Sequence, residues 1–503
     1  MGILKNTENY LGDFSATNFG IILAFLAILY PVLFTLYNVY FHPLSKYPGP
    51  RFAAATRLWY CYYACKGTLG KAIHEAHKKY GHAIRIAPNE LSFTDPAAWE
   101  DIYGHRVGKP ELMKDPTFYA SLSSGPESIM NAEHSRHRLL RKQIANGFSD
   151  RSLKEQEPAI NGYVDMLMQR LQGCIKTGES TVDLCDWYNF FTFDVTGEMV
   201  FGQSYGCLTN QDYHPWVKLI FDAVKVGAFV RSIKYYPILA PLAQRLVPQE
   251  LGRRRMEQRE LAKEKVEYRR SLGHERQDLL SGYLKPESGI TPIEFKSTAE
   301  VFIIGGSETT ATLMSGLTYY LLRDPSRLAK LQSEVRNAFT KPEDITFVNV
   351  SQLPYLLACL DEALRIYPPF PDAWPRNTGP RSEIIGGRVV PPNTVLSVHQ
   401  WSTHHSPLNF KNPDDFIPER WLEGTKGYES DRKDAVQAFH VGPRNCIGKS
   451  LAYFEMRLTM ARLLWQFDLE LDPRSEQWKE QRTFLLWEKP PLLVKLKERS
   501  AQA

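Results

Sequence analysis

F-H-V-G-P-R-N-C-I-G, Phe439 to Gly448, holds one cysteine, Cys446, in a short loop bounded by glycines, and a helix-like run, Lys449 to Phe467, follows at once. A thiolate at neutral pH needs stabilisation, which helix N-terminal N–H groups and a neighbouring cation, here Arg444, supply. Gly442 and Gly448 have no Cβ, so the backbone turns sharply and a flat ligand can come close. Such a loop can hold a metal through one sulfur and leave the opposite side of that metal open. A lone cysteine at a loop–helix junction is more often a packing residue, so the reading depends on the rest of the chain.

The pattern F-x-x-G-x-R-x-C-x-G fixes five residue types at set spacing and resembles the haem-binding loop of the cytochrome P-450 family. The resemblance implies that Cys446 is the axial thiolate of haem iron, pushing electron density towards O–O cleavage. It places Phe439, Arg444 and Gly448 in the cofactor-binding loop.

The 503 residues are 43% hydrophobic, with 26 Phe and 25 Tyr, which is ample for a core and argues against disorder. No composition break divides the chain after about residue 50, so one large domain is expected. A diffuse net charge of +5 is too weak to suggest nucleic acid. Seven scattered cysteines do not make a disulfide framework. Cys61 and Cys65 are spaced too widely for a C-x-x-C pair and are read as packing residues.

From Ser15 to Tyr40 no residue is charged, and residues 19–40 are long enough to cross a bilayer as one helix despite Pro31. Lys46, Arg51 and Arg57 follow this run, whereas Lys5 is offset by Glu8 and Asp13. The positive-inside bias therefore predicts a luminal segment 1–18 and a cytoplasmic catalytic part. Residues 41–51 (F-H-P-L-S-K-Y-P-G-P-R) form a proline-stiffened stalk that resembles the hinge of microsomal members of the family. Residues 52–503 are the expected catalytic domain.

His82 to Thr94 reads as a strand pair turning at Pro88-Asn89, and Gly104 to Met130 as a long functional loop. His134 to Phe148 is a basic helix. By resemblance, His134 and Arg138 match an H-x-x-x-R pair that hydrogen-bonds a haem propionate, and the helix's other cations form a docking face for an acidic electron donor. Val224 to Leu246 is an apolar, aromatic piece that roofs the pocket or lies on the membrane. Arg253 to Arg276 is a charge-laced helix with no assigned chemistry.

Glu294 to Leu322 is a long helical pattern interrupted at Gly305 to Thr310, G-G-S-E-T-T, where small and hydroxylated residues invite a kink. Oxygen activation needs a proton-donor chain that does not flood the site. An acid beside an alcohol, Glu308 and Thr309, supplies one. The segment resembles the family's A-G-x-[DE]-T-[TS], with Gly305 in place of alanine, and so is expected opposite Cys446.

Leu353 to Tyr367 is a helix ended by Pro368-Pro369, with Glu362 and Arg365 on one face. They match the family's E-x-x-R, and Pro418 to Trp421 resembles P-E-R-F. The resemblance implies a buried network of Glu362, Arg365 and Arg420 behind the thiolate loop, and it pairs Arg376 and Arg444 with haem propionates. Ile384 to Val398 reads as a hairpin. His404 and His405 are read as structural. Pocket candidates are Phe302, Ile303, Phe370, Trp374 and Leu485, the last in a terminal strand pair.

The implied fold is mostly α with a smaller β region, the cytochrome P-450 fold, preceded by one transmembrane helix. The implied activity is monooxygenation of a bulky apolar small molecule by heme b and O2. No nicotinamide- or flavin-binding segment appears, so electrons come from a separate NADPH cytochrome P-450 reductase, with cytochrome b5 as an optional second donor. Two alternatives stand beside it: a haem-thiolate isomerase, dehydratase or ring-coupling enzyme, and a non-enzymatic haem-binding membrane protein. Phrasing such as Y-F-H-P-L-S-K-Y-P-G-P is similar to that of fungal members acting on terpenoid and polyketide secondary metabolites at the endoplasmic reticulum membrane.

Overall fold

A computed structural model describes residues 16–122, 128–236, 253, 260 and 263–499. Several readings lie outside the described residues: the charge balance of Lys5, Glu8 and Asp13, residues 123–127 of the long loop, residues 237–246, and the charge run over most of its length up to residue 262.

The helices that matter below are α1 (Ala16–Leu36), α2 (Ala97–Tyr103), α3 (His134–Ile144), α4 (Asp150–Lys176), α5 (Leu184–Phe201), α6 (Pro215–Lys234), α7 (Pro292–Leu322), α8 (Pro354–Ile366) and α9 (Lys449–Gln466). The main sheet joins β1 (Ala83–Ala87), β2 (Glu90–Phe93), β3 (Met113–Lys114), β4 (Arg376–Asn377) and β7 (Val395–Val398) in the order β1-β2-β7-β4-β3. A separate hairpin joins β5 (Glu383–Ile385) to β6 (Arg388–Val390). The molecule is mostly α with a smaller β region.

α1 is apolar on every side, and with the turn that follows it runs from Asn18 to Phe41 at a mean hydropathy of 2.5, with Asn38 near its end buried against the domain. It is long and apolar enough to cross a membrane. The proline-rich segment after it is laid against β1 and does not stand off as a stalk. Asn38 Nδ2 donates to Ala55 O (3.0 Å), Arg85 Nη1 to Asn38 O (2.7 Å) and Arg85 N to Pro48 O (2.8 Å). At Gly49 a Cβ would sit 2.3 Å from Arg85 O, so only glycine allows this approach.

The core centres on α5, buried on almost every face, with α7 packed along it. The N-terminus of α7 is fixed by a capping box: Glu294 N donates to Thr291 Oγ1 (3.2 Å) and Thr291 N to Glu294 Oε2 (2.8 Å). Pro292 fills the first turn, where its missing N–H costs nothing. Arg136 on α3 then grips the Glu294 carboxylate through two bonds, 2.5 and 2.6 Å. α7 runs unbroken through Gly305–Thr310, so the expected interruption does not occur. The backbone bond foreseen for a threonine there does, Thr309 Oγ1 donating to Gly305 O at 2.5 Å.

The strand pair at 82–94 forms as expected, as β1 and β2. The hairpin expected over 384–398 closes by residue 390 through Gly386 and Gly387, both at positive φ, and β7 then leaves to pair parallel with β2. The long loop from Gly104 contains β3 and a short helix, Pro116–Leu122.

Candidate active site

A cavity of about 360 Å³ opens between α7 and the Cys446 loop. Gly305, Gly306, Thr309 and Thr310 border it from α7; Phe439, His440, Arg444, Cys446 and Gly448 border it from the loop and the start of α9. A Cβ on Gly305 would meet nothing within 4 Å, whereas one on Gly306 would come within 3.1 Å of Thr196. The first glycine thus widens the cavity, and the second brings α5 close. Phe302, Phe370 and Trp374 line the walls as expected, Phe370 stacked on Trp374 at 4.4 Å and Phe302 edge-on to Phe148 at 5.5 Å.

The loop's shape comes from long-range contacts. At Gly442 φ is +72°, and a Cβ there would lie 2.0 Å from Tyr103 O on α2. Cys446 N donates to Phe439 O at 2.8 Å, closing the loop on itself. Cys446 is open to the cavity, and burial by the protein around it is the main influence on its thiol, pushing the pKa up. The Gly448 backbone bond and the charges of Arg141 and Lys449 oppose that shift. Arg444, expected to be that neighbouring cation, instead pairs with Glu111 at 2.6 Å.

Behind the loop, Glu362, Arg365 and Arg420 form the expected network with no side-chain exposure. Glu362 accepts Arg365 Nε (2.9 Å) and Nη2 (2.8 Å), Arg420 Nε (3.2 Å), Trp421 Nε1 (2.9 Å) and Ile417 N (2.8 Å). Arg365 spends its remaining donors on the carbonyls of His404, Pro413 and Asp415, and Arg420 pairs with Asp431. Such saturation is what a buried charge requires. His404 and His405 bond the carbonyls of Arg365 (3.1 Å) and Ile366 (3.0 Å), holding the C-terminal end of α8.

Several expected positions need correcting. His134 and Arg138 do not border the cavity: both are exposed, with His134 Nδ1 3.4 Å from Glu111. His137 and Arg141 occupy that place. The basic helix contains a second H-x-x-x-R frame three residues on, and the face that α3 buries (His137, Leu140, Ile144) selects it. Arg141 donates to Asn445 O (2.7 Å) and Oδ1 (2.6 Å), clamping the residue before Cys446. Burial, then the charges of Arg444, Lys114 and Arg141, lower the His137 pKa to about 3.

Glu308 likewise faces away from the cavity. Its carboxylate pairs with Lys489 and accepts from Thr312 Oγ1 (3.2 Å), and Glu308 is only 1% exposed. Successive residues on a helix point in different directions, so the alcohol Thr309 turns to the cavity and the acid beside it does not. The same rule sends Ile303 into the core while Phe302 lines the wall. Leu485, at φ +80°, lines a separate void of about 10 Å³ with Arg231 and Asp372.

Arg376 borders the cavity, pairs with the Tyr119 hydroxyl and has its guanidinium 5.5 Å from the Tyr103 ring. With Lys114, Arg141 and Arg444 it makes four cations around the cavity against one carboxyl, Glu455. Arg444 Nη1 is buried with no protein partner among the described residues. Sequence reasoning missed Lys114, Arg141, His137 and Glu455. A thiol on one side, small residues opposite and an excess of cations fit a flat, dianionic iron porphyrin.

Residues 48–496 match the Cytochrome P-450 family profile. The chain belongs to the cytochrome P-450 family, haem-thiolate monooxygenases of small organic molecules, and it is homologous to fungal secondary-metabolite members. It is 42% identical to the cytochrome P-450 monooxygenase astA of Talaromyces wortmannii, over 95% of this chain and 97% of that protein. It is 42% identical to the trichothecene C-4 hydroxylase of Trichoderma arundinaceum (93% and 94%) and 40% identical to the averantin hydroxylase of Dothistroma septosporum (94% and 90%).

Proposed function

We propose that the protein is a membrane-anchored monooxygenase that hydroxylates, or otherwise oxidises, a bulky apolar fungal secondary metabolite of terpenoid or polyketide type. The observation that carries this reading is the Cys446 thiol on the same cavity as Gly305 and Thr309, within a cationic margin. Haem, when bound, supplies oxygen activation, by which one atom of O2 enters the substrate and the other leaves as water.

The chain's own residues set the conditions for that chemistry. Cys446 would hold the haem iron through its sulfur; a coordinating thiol is deprotonated by its metal, which would overcome the upward push of burial. Arg141, Arg376 and Arg444, on the cavity margin with His137, would hold the two haem propionates. Phe439 and Gly448 shape the thiol's surroundings, the glycine leaving 3.9 Å between its virtual Cβ and Sγ. The Glu362–Arg365–Arg420 network fixes the scaffold under the loop. Thr309 presents its hydroxyl to the cavity, where it positions water and passes protons. Phe302, Phe370 and Trp374 exclude bulk water and orient an apolar substrate.

Asn18–Phe41, about 36 Å long at 1.5 Å per residue, spans a hydrocarbon core of about 30 Å. It anchors the catalytic domain on the cytoplasmic face of the endoplasmic reticulum, where an NADPH cytochrome P-450 reductase, aided by cytochrome b5, supplies electrons. The domain begins at about residue 52, after the anchor 19–40 and the hinge 41–51.

The test is reconstitution of the purified holoprotein with that reductase, NADPH and O2 and a panel of terpenoid and polyketide scaffolds. A product heavier by one oxygen atom, formed only with NADPH, is the expected result. Turnover that needs neither NADPH nor O2 would transfer the chain to the isomerase alternative.

A further inference from the structure

Arg444 borders the cavity, yet most of its hydrogen-bonding capacity is already taken by Glu111, from the segment that leads into β3. Glu111 accepts from Arg444 Nε (3.0 Å to each carboxylate oxygen) and from Nη2 (2.6 Å). One edge of the guanidinium fork is therefore occupied, and Nη1 is the nitrogen left buried without a protein partner among the described residues. The contact is fixed from both sides. Glu111 lies two residues before β3, whose Met113 and Lys114 pair with Asn377 and Arg376 of β4, and Leu112 between them is buried. Arg444 lies in the loop that Gly442 presses on Tyr103. From α3, His134 Nδ1 comes to 3.4 Å from the same carboxylate. Burial pushes the Glu111 carboxyl up, but the bond and charge of Arg444, with the charges of Arg376 and His134, outweigh it and hold the group below the usual carboxylate range. A long, flexible side chain must lose rotamer freedom to meet a ligand. Here Arg444 is ordered by the fold before any ligand arrives.

Resting on the haem-binding reading above, we propose that Glu111 is a positioning residue for haem retention: it fixes the Arg444 fork so that Nη1 is the donor kept free for a haem carboxylate. Glu111 itself touches no ligand and acts through the arginine. Its carboxylate offsets part of the Arg444 charge, so recognition at this point depends on the direction of one N–H group more than on net positive charge. A planar guanidinium suits that task, because one edge can be gripped while the far nitrogen stays free.

The experiment measures haem loss from the purified holoprotein to an apoprotein acceptor, in the wild type, Glu111→Ala, Arg444→Ala and the double variant. Glu111→Ala releases the fork and is expected to speed haem loss by about tenfold, within the coupling that residues in direct contact show. Arg444→Ala speeds it by at least as much, and adding Glu111→Ala to Arg444→Ala speeds it no further. Added to Arg444→Lys, the same substitution is again without effect, since an ammonium has no fork to orient. A merely structural Glu111 would add its effect in every background. Glu111→Gln keeps one acceptor oxygen, so its smaller effect, again lost without Arg444, carries the test should the Ala variant fail to fold. Haem loss within about twofold of wild type in both Glu111 variants, or an acceleration undiminished in the Arg444→Ala and Arg444→Lys backgrounds, would overturn the proposal. A wild-type protein that binds no haem would instead overturn the functional reading on which it rests.

Discussion

The Cys446 loop and the Gly305–Thr312 stretch of α7 face one cavity, but they aim their side chains by different geometry. In the loop, direction is set from outside: Gly442 is pressed on Tyr103, Phe439 O closes on Cys446 N, and Arg141 clamps Asn445. On α7, direction is set by the helix itself, which turns about 100° per residue. Neighbours in sequence then part company, Phe302 from Ile303 and Thr309 from Glu308. Chemistry that must stay in fixed register is tied down at many points in the loop, whereas α7 offers a new set of side chains with each rotation.

The largest expected effect lies on the loop's side. Glu362→Ala leaves Arg365 buried without a carboxylate and Arg420 with Asp431 alone, and breaking such a buried pair costs about 3–5 kcal/mol. Urea unfolding should show a loss of that size together with loss of bound haem. A loss below about 1 kcal/mol would mean that the network is not what fixes the loop.

The two H-x-x-x-R frames of α3 give the next contrast. Arg141→Ala removes a charged hydrogen-bond donor worth about 1.5–3 kcal/mol, so haem should dissociate more readily by roughly tenfold to a hundredfold. Arg138→Ala, at an exposed site, should change haem retention by less than about 0.5 kcal/mol. Transfer of haem to an apoprotein acceptor measures both, and equal effects would put the frame chosen by α3 in doubt.

The smallest effect is at the start of α7. The hydrogen bond from Arg136 is the main reason the Glu294 carboxyl is held down to about 2, against burial. A group lowered in the folded state stabilises above its unfolded pKa, and that stability is lost as pH falls towards the folded value. Arg136→Ala should therefore cost about 1 kcal/mol at pH 7 and flatten the stability curve between about pH 4.5 and 2. Thermal unfolding against pH checks this, and an unchanged acid limb would contradict it.

How much of this was legible in the sequence follows from the same contrast. Cys446, Arg444, Phe439 and Gly448 could be placed because residue types at fixed spacing in an irregular loop identify it almost uniquely. The Glu362–Arg365 pair could be put on one helix face because i,i+3 residues share it, but its place in a buried network, like the mostly α fold with a smaller sheet, came from the resemblance to the family. Glu308 misled because adjacency in sequence is not adjacency on a helix. His134 and Arg138 misled because the basic run contains the same motif twice, and only the apolar positions Leu140 and Ile144, at the spacing of His137, pick the frame. Those positions were readable and are the signal that could have found it. Leu485 depended on a turn at positive φ that no local pattern announces. Glu455 and Lys114 reach the cavity only through tertiary packing.

The central claim is that Cys446 binds haem iron through sulfur, and the spectrum of the reduced carbon-monoxide complex tests it most directly. The account predicts the red-shifted Soret band of a thiolate-ligated haem in the wild type and its loss in Cys446→Ala. A wild-type protein that carries haem but shows the unshifted band of an imidazole ligand, or a Cys446→Ala variant that keeps the shifted band, would contradict it.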